Sequence, residues 1–153
     1  MHEQVCKGGS AVEIWRDIKG YEGFYQVSTL GNVMSVARVR KTKGGGVTQM
    51  KERLMTLTAK KNGYRTKPYI EVKLRRNQSR DIKSKSFLVH RLVAEAFIKP
   101  LEKGDQVDHI NGIHADNRVE NLRVMTYIEH AKIHPTIVNP GPRDAFGRFS
   151  KPA

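Results

Sequence analysis

Cysteine is almost missing from this chain: Cys6 stands alone among 153 residues. Disulfides within the chain and cysteine-based zinc modules are thereby excluded, and the composition fits a reducing, cytoplasmic setting such as a bacterial or phage-infected cell. Long apolar runs are missing too. No window of about 18 residues is apolar enough to cross a membrane, so no membrane partner is expected. The N-terminus lacks the charged-then-apolar pattern of a secretory leader. Acids are scarce: 15 Asp and Glu stand against 28 Lys and Arg, a formal net charge of +13. Such a field favours a polyanionic partner, most simply nucleic acid; a ribosome-associated or merely very soluble protein is the bland alternative. A chain of this size forms one domain or two small ones and buries about 70% of its unfolded surface.

The charge is unevenly spread. Between Arg38 and Arg91 there are seventeen basic residues, opposed only by Glu52, Glu71 and Asp81. From residue 100 to 135 the balance reverses, with four basic residues against six acids. A surface made only to bind nucleic acid has no need of such an acidic segment. A divalent cation site does, because hard cations take oxygen ligands.

The local patterns imply an α+β chain, strand-rich at first. Residues 1–12 read as a flexible end. "FYQVS" and "VMSVA" read as two strands around a turn at Gly31-Asn32. Trp15, Tyr21, Phe24 and Tyr25 beside them suit a small core better than base stacking. "KTKGGG", residues 41–46, reads as a flexible basic linker. In "YIEVKLRRN", Ile70, Val72 and Leu74 share one face of a half-buried strand; "QSRD" turns it and "IKSKSFLVH" returns. "HRLVAEAFI" is an amphipathic helix with Leu92, Val93, Ala96 and Phe97 on one face and Arg91 and Glu95 outside, ended by Pro100. The prolines of residues 136–153 suit an extended arm.

The chemistry concentrates in "VDHINGIHADNRVENLRVMTYIEHAKIH", residues 107–134. "QVDHIN" and "LRVMT" read as strands separated by a polar loop. Thr126 and Glu129 form a capping box, which starts a helix near Tyr127 that stops at His134 before Pro135. On that helix His130 and His134 share a face, and a strand laid against it can bring Asp108 to the same point. His109, next along the strand, faces away unless the strand ends or twists there. The set suits phosphodiester hydrolysis, in which a cation stabilises charge on the leaving oxygen and a histidine near pKa 6.5 takes a proton from water. His109 is the candidate base, and Asn121 is best placed to bond its backbone or ring. Each residue alone has a plainer reading: Asp108 as a turn cap, Asn117 and Asn121 as turn formers, His130 and His134 as ordinary helix residues. His90 reads as structural, and His114 as solvent-facing.

Residues 107–134 resemble the ββα-metal motif of HNH endonucleases, close to that of phage and intron-encoded homing enzymes, and "HRLVAEAF" resembles the segment that leads into it. "EIWRDIKGYEGFYQVSTLGNVMSVAR" is similar to the nuclease-associated modular DNA-binding motif found ahead of many such enzymes. The resemblance implies roles residue by residue. Asp108 takes the place of the first metal ligand, His109 of the general base, Asn121 of the Asn that orients it, and His130 of a second ligand. His134 matches a histidine present in only some branches. Homing relatives often hold the metal with an acid and an Asn, so two imidazoles depart from them. Mg²⁺ suits an oxygen-rich site, whereas two imidazoles lean toward Zn²⁺, Mn²⁺ or Ni²⁺.

The expected organisation is a flexible end (1–12), a basic strand-rich DNA-binding region (13–87), an HNH nuclease motif (88–135) and an extended arm (136–153). Candidate contacts to double-stranded DNA are Arg38, Arg40, Lys60, Lys61, Arg75, Arg76, Arg91, Arg118 and Arg123. The implied activity is site-specific, metal-dependent DNA cleavage, by a monomer that nicks or a homodimer that cuts both strands. A DNA-binding module with a structural metal site is the main rival. A non-haem iron site and an RNA-processing nuclease are more distant ones.

Overall fold

Val27 and Val33 lie opposite each other across the first hairpin, both buried, and the core grows from that pair. The computed structural model describes residues 12–42, 44–60, 68–75 and 83–134. Strands β1 (Trp15–Asp17), β2 (Tyr25–Ser28) and β3 (Val33–Ser35) pair antiparallel in sequence order. The hairpin expected around Gly31-Asn32 is therefore present, with Gly31 at φ +84, a conformation that glycine adopts without steric cost. Tyr25 is buried, and Tyr21 and Phe24 pack against the same core, so these aromatics are structural.

The segment 41–46 corrects the linker reading. Strands β4 (Arg38–Lys41) and β5 (Val47–Met50) pair antiparallel, Thr42 N–H bonds the Gly46 carbonyl at 2.8 Å, and Gly45 turns the chain at φ +80. The glycines close a hairpin and do not join two independent parts. The ribbon is exposed nearly throughout, Val39 and Val47 included. It has no buried face, which is why alternation does not mark it. Strand β6 (Arg53–Leu54) then completes the first sheet beside β3, giving the order β1-β2-β3-β6.

A second sheet is built from β7 (Thr58–Lys60), β8 (Tyr69–Leu74) and β9 (Lys85–Leu88). Val72 and Leu74 on the inner face of β8 are fully buried, as the alternation predicts. β9 runs straight into helix α1 (Val89–Phe97), whose Val89, Leu92 and Val93 join the two sheets in one core with Ile18, Tyr25, Val27 and Val33. The helix ends at Phe97, three residues ahead of Pro100. Glu95 pairs with Lys19 at 3.3 Å, and Arg16 donates to the Ala96 carbonyl at 2.8 Å, so the first sheet's edge is tied to the outside of α1.

The chain closes with β10 (Gln106–His109), a loop ending in a 3-10 turn (Val119–Asn121), β11 (Leu122–Met125) and helix α2 (Tyr127–Ile133). β10 and β11 pair antiparallel. Leu122 anchors this hairpin to the common core. The capping box is complete: Glu129 N–H donates to Thr126 Oγ1 at 3.3 Å, and Thr126 N–H donates to Glu129 Oε2 at 2.7 Å. The mixed α+β architecture expected from the sequence is thus what the chain adopts. The readings of residues 1–11, of the "QSRD" turn and of the C-terminal arm lie outside the described residues. No described helix is long and apolar enough to cross a membrane.

Candidate metal centre

Asp108 lies directly opposite Arg123 in the β10–β11 register. The guanidinium uses both Nε (2.9 Å) and Nη2 (2.6 Å) on one carboxylate oxygen, Oδ2. The other oxygen, Oδ1, faces His134 Nε2 at 3.3 Å. Burial alone would raise the Asp108 pKa. The Arg123 hydrogen bonds and charge, together with the nearby His134 ring, outweigh it, so the carboxyl sits below its usual range.

His130 and His134 occupy one face of α2, with ring centroids 5.0 Å apart. His134 caps the helix, its N–H bonded to the His130 carbonyl at 2.9 Å. Ligand atoms of Asp108, His130 and His134 all lie within 4.8 Å of one another. Two ligands bound at about 2.1 Å to one ion stand roughly 3.0–3.4 Å apart at right or tetrahedral angles. The cluster therefore needs only a modest contraction. His134 Nε2 is buried and, despite its closeness to Asp108, lacks hydrogen-bond geometry to any partner. An orphaned imidazole nitrogen aimed at a free carboxylate oxygen fits a cation between them. One oxygen and two nitrogens match the borderline first-row ions and still admit Mg²⁺ with water completing its shell.

His109 ends β10 and points to the opposite face of the strand from Asp108. Its ring is only 4% exposed and lies in an aromatic cluster: His90 at 5.1 Å, His114 at 5.5 Å and Tyr69 at 6.2 Å between centroids. Burial lowers the His109 pKa, partly opposed by a hydrogen bond between its Nε2 and Asn117 Oδ1 at 3.1 Å. His90 is buried as its structural reading requires, and burial together with His109 pushes its pKa down to about 3. His114 departs from expectation. It is half-buried, because the loop folds back and stacks its ring on Tyr69 at 4.3 Å and 8°.

Asn121 is buried and holds the loop that follows His109. Its Oδ1 accepts from Asn111 N–H at 3.0 Å, and its Nδ2 donates to Asn111 Oδ1 (3.0 Å) and the Asp116 carbonyl (2.8 Å). Its own carbonyl accepts from Ile110 N–H at 2.9 Å. Asn121 thus fixes the backbone just beyond His109, while Asn117, which spacing did not single out, meets the ring.

The candidate DNA contacts divide. Arg123 is engaged with Asp108, and Arg118 grips Asp116 and Glu120, each at 2.9 Å, holding the Asp116 carboxyl down to about 2. Arg91 donates to the Asp105 carbonyl at 3.3 Å, and Lys60 pairs with Glu71 at 3.4 Å. Arg38 bonds Ser35 Oγ and the Val36 carbonyl at 3.0 Å each and covers the Phe24 ring. Arg40 and Arg75 are exposed, and Lys61 and Arg76 lie outside the described residues.

Known proteins resemble this chain over both its N-terminal and its C-terminal parts. Residues 13–69 match the NUMOD4 motif and residues 87–132 match the HNH endonuclease family. DNA endonuclease I-HmuI of Bacillus phage SP01 is 38% identical over 112 residues, 73% of this chain and 52% of that protein. HNH endonuclease L247 of Acanthamoeba polyphaga mimivirus is 32% identical over 127 residues, 78% of this chain and 25% of that protein. A solved structure of DNA binding and cleavage by the HNH homing endonuclease I-HmuI superposes with a TM-score of 0.58 at 34% identity, covering 81% of this chain and 59% of that one. The chain thus spans about half the length of I-HmuI. With the two motifs in this order, the chain is an HNH endonuclease relative of I-HmuI that carries a NUMOD4 motif ahead of its nuclease motif.

Proposed function

We propose that this chain is a metal-dependent endonuclease that hydrolyses phosphodiester bonds in double-stranded DNA at particular sites, as a homing or phage-type enzyme. The observation that carries the reading is the convergence of Asp108, His130 and His134, with the orphaned His134 Nε2 facing the free oxygen of Asp108. A divalent cation held there would polarise a phosphate oxygen and stabilise the charge that grows on the leaving oxygen. His109 takes the proton of the attacking water, with Asn121 fixing the backbone beside it. Arg123 keeps Asp108 ionised. The scissile phosphate lies across the end of β10, where the faces of Asp108 and His109 meet. The expected products carry 3′-hydroxyl and 5′-phosphate ends.

In this division of labour residues 13–87 hold the duplex and 88–135 cut. One metal centre cuts one strand, so a monomer nicks and a homodimer is needed to cut both. Mg²⁺ is the proposed ion, with Zn²⁺, Mn²⁺ and Ni²⁺ as the alternatives that two imidazoles admit. One observation favours a non-catalytic DNA-binding module with a structural metal: the His109 ring is almost fully buried. Supercoiled plasmid incubated with and without EDTA separates the two. Metal-dependent nicking that is lost in His109→Ala supports the nuclease. Binding without any cutting supports the module. Sequenced ends from a long natural DNA then distinguish discrete sites from a smear.

A further inference from the structure

The Asn117 amide is oriented by its own contacts. Its Nδ2 donates to the Ala115 carbonyl at 3.4 Å, which turns Oδ1 toward His109 Nε2 at 3.1 Å. An amide oxygen only accepts, so the imidazole donates from Nε2 and its remaining lone pair is on Nδ1. Asn117 thereby selects one of the two neutral tautomers and fixes the ring about its axis.

Asn117 is itself held from outside the nuclease motif. The turn of the β2–β3 hairpin lies against it: a Cβ added to Gly31 would stand 2.9 Å from Asn117 Cβ and 3.1 Å from its carbonyl oxygen. No side chain fits there without displacing Asn117. Two residues on, Val119 N–H donates to the Thr29 carbonyl at 2.8 Å and ties the same turn to the 3-10 turn. A continuous path of contact therefore runs from the N-terminal hairpin through Asn117 to His109.

We infer that Asn117 is the positioning residue of the histidine base, and that the Gly31 turn of the N-terminal hairpin holds it in place. The DNA-binding part of the chain thus sets the geometry of the cutting part. The inference rests on the reading of His109 as the base. Its physical content, the tautomer, can be measured without any cutting.

The test records ¹⁵N resonances of the imidazoles in the full chain, with the His109→Ala spectrum assigning the His109 signals. Wild type should show an Nε2-protonated ring. Asn117→Ala should give mixed tautomers and lower the plasmid-nicking rate by about ten- to a hundredfold at unchanged KM, the usual range for a residue that orients a functional ligand. Asn117→Asp keeps an acceptor in place and should restore the tautomer. Gly31→Ala should resemble Asn117→Ala. Gly23→Ala has the same positive φ but open space around it, so it should leave the tautomer unchanged. An unaltered tautomer in Asn117→Ala would overturn the inference. A Gly31→Ala spectrum identical to that of Gly23→Ala would remove the hairpin from it. Normal cutting by His109→Ala would instead sink the base assignment and leave the tautomer result standing.

Discussion

Acid should begin to destabilise this protein through His90 before the carboxylates contribute. The His90 ring is 5% exposed, its Nδ1 is buried without a partner, and His109 and Arg91 add unfavourable charge if it gains a proton. Its pKa falls from 6.5 to about 3, so the folded chain keeps it neutral while the unfolded chain protonates it on passing below 6.5. Stability is therefore complete above 6.5 and is lost steadily down to about 3. At 1.36 kcal/mol per pKa unit the whole window is worth about 4–5 kcal/mol, of which about 2 kcal/mol is gone by pH 5. The depressed carboxyls of Asp105, Asp108, Asp116 and Glu129 act only below their ordinary values near 4, so pH 5–7 isolates the histidines. Urea unfolding followed by the single tryptophan should lose roughly 1 M in midpoint between about pH 7 and pH 5. His90→Gln removes the titrating ring at nearly constant volume. It should flatten this dependence, leaving the smaller share of His109, whose pKa burial lowers in the same direction. Equal slopes in wild type and His90→Gln would refute the argument.

Other outcomes follow from the site. His109→Ala should lower the cleavage rate by about 10² to 10⁴ while metal content and DNA affinity stay nearly constant, checked by single-turnover kinetics beside a binding assay. Asp108→Ala and His130→Ala should each weaken metal binding in calorimetry, with activity partly rescued at high metal; His134→Ala should match them if its orphaned Nε2 is a third ligand, and should leave affinity unchanged if it is not. DNA affinity should fall steeply with salt, and replacing the exposed Lys41, Lys73 and Arg75 with Ala should flatten the log-log slope by about 0.9 for each phosphate that is no longer neutralised. Leu74→Ala empties a fully buried position shared by the second sheet and α1, and should cost about 2–5 kcal/mol in urea denaturation.

Elements with one buried face are legible in the sequence. The alternation at Ile70, Val72 and Leu74, the Gly31-Asn32 turn and the Thr126–Glu129 capping box each state a local rule that the fold obeys. The β4–β5 ribbon follows no such rule, since both its faces meet water, and three consecutive glycines look alike in a linker and in a turn. The same division runs through the site. His130 and His134 follow from helical spacing and Asp108 from its strand. Arg123 reads in the sequence as a phosphate-binding side chain, yet the hairpin register sets it against Asp108, a pairing that depends on how many residues the loop takes up. Asn117 and His114 reach their partners because a polar loop doubles back on Tyr69 and His109, and no periodicity encodes that return.

On the proposed function, the pairing of Asp108 with Arg123 accounts for an acidic segment at the candidate metal centre of a basic protein. Asp108 contributes −1 and Arg123 +1, so this pair is formally neutral before an ion arrives. In the proposed function a divalent ion would raise it to +2 at the place where a phosphate is to be gripped and not merely attracted. The distributed charge between Arg38 and Arg91, the proposed duplex-holding segment, would need no metal and would make no distinction among phosphates. The proposed function therefore assigns affinity and cutting to different residues. A chelator should abolish the second while leaving most of the first, because counterion release along the basic segment does not depend on the state of Asp108.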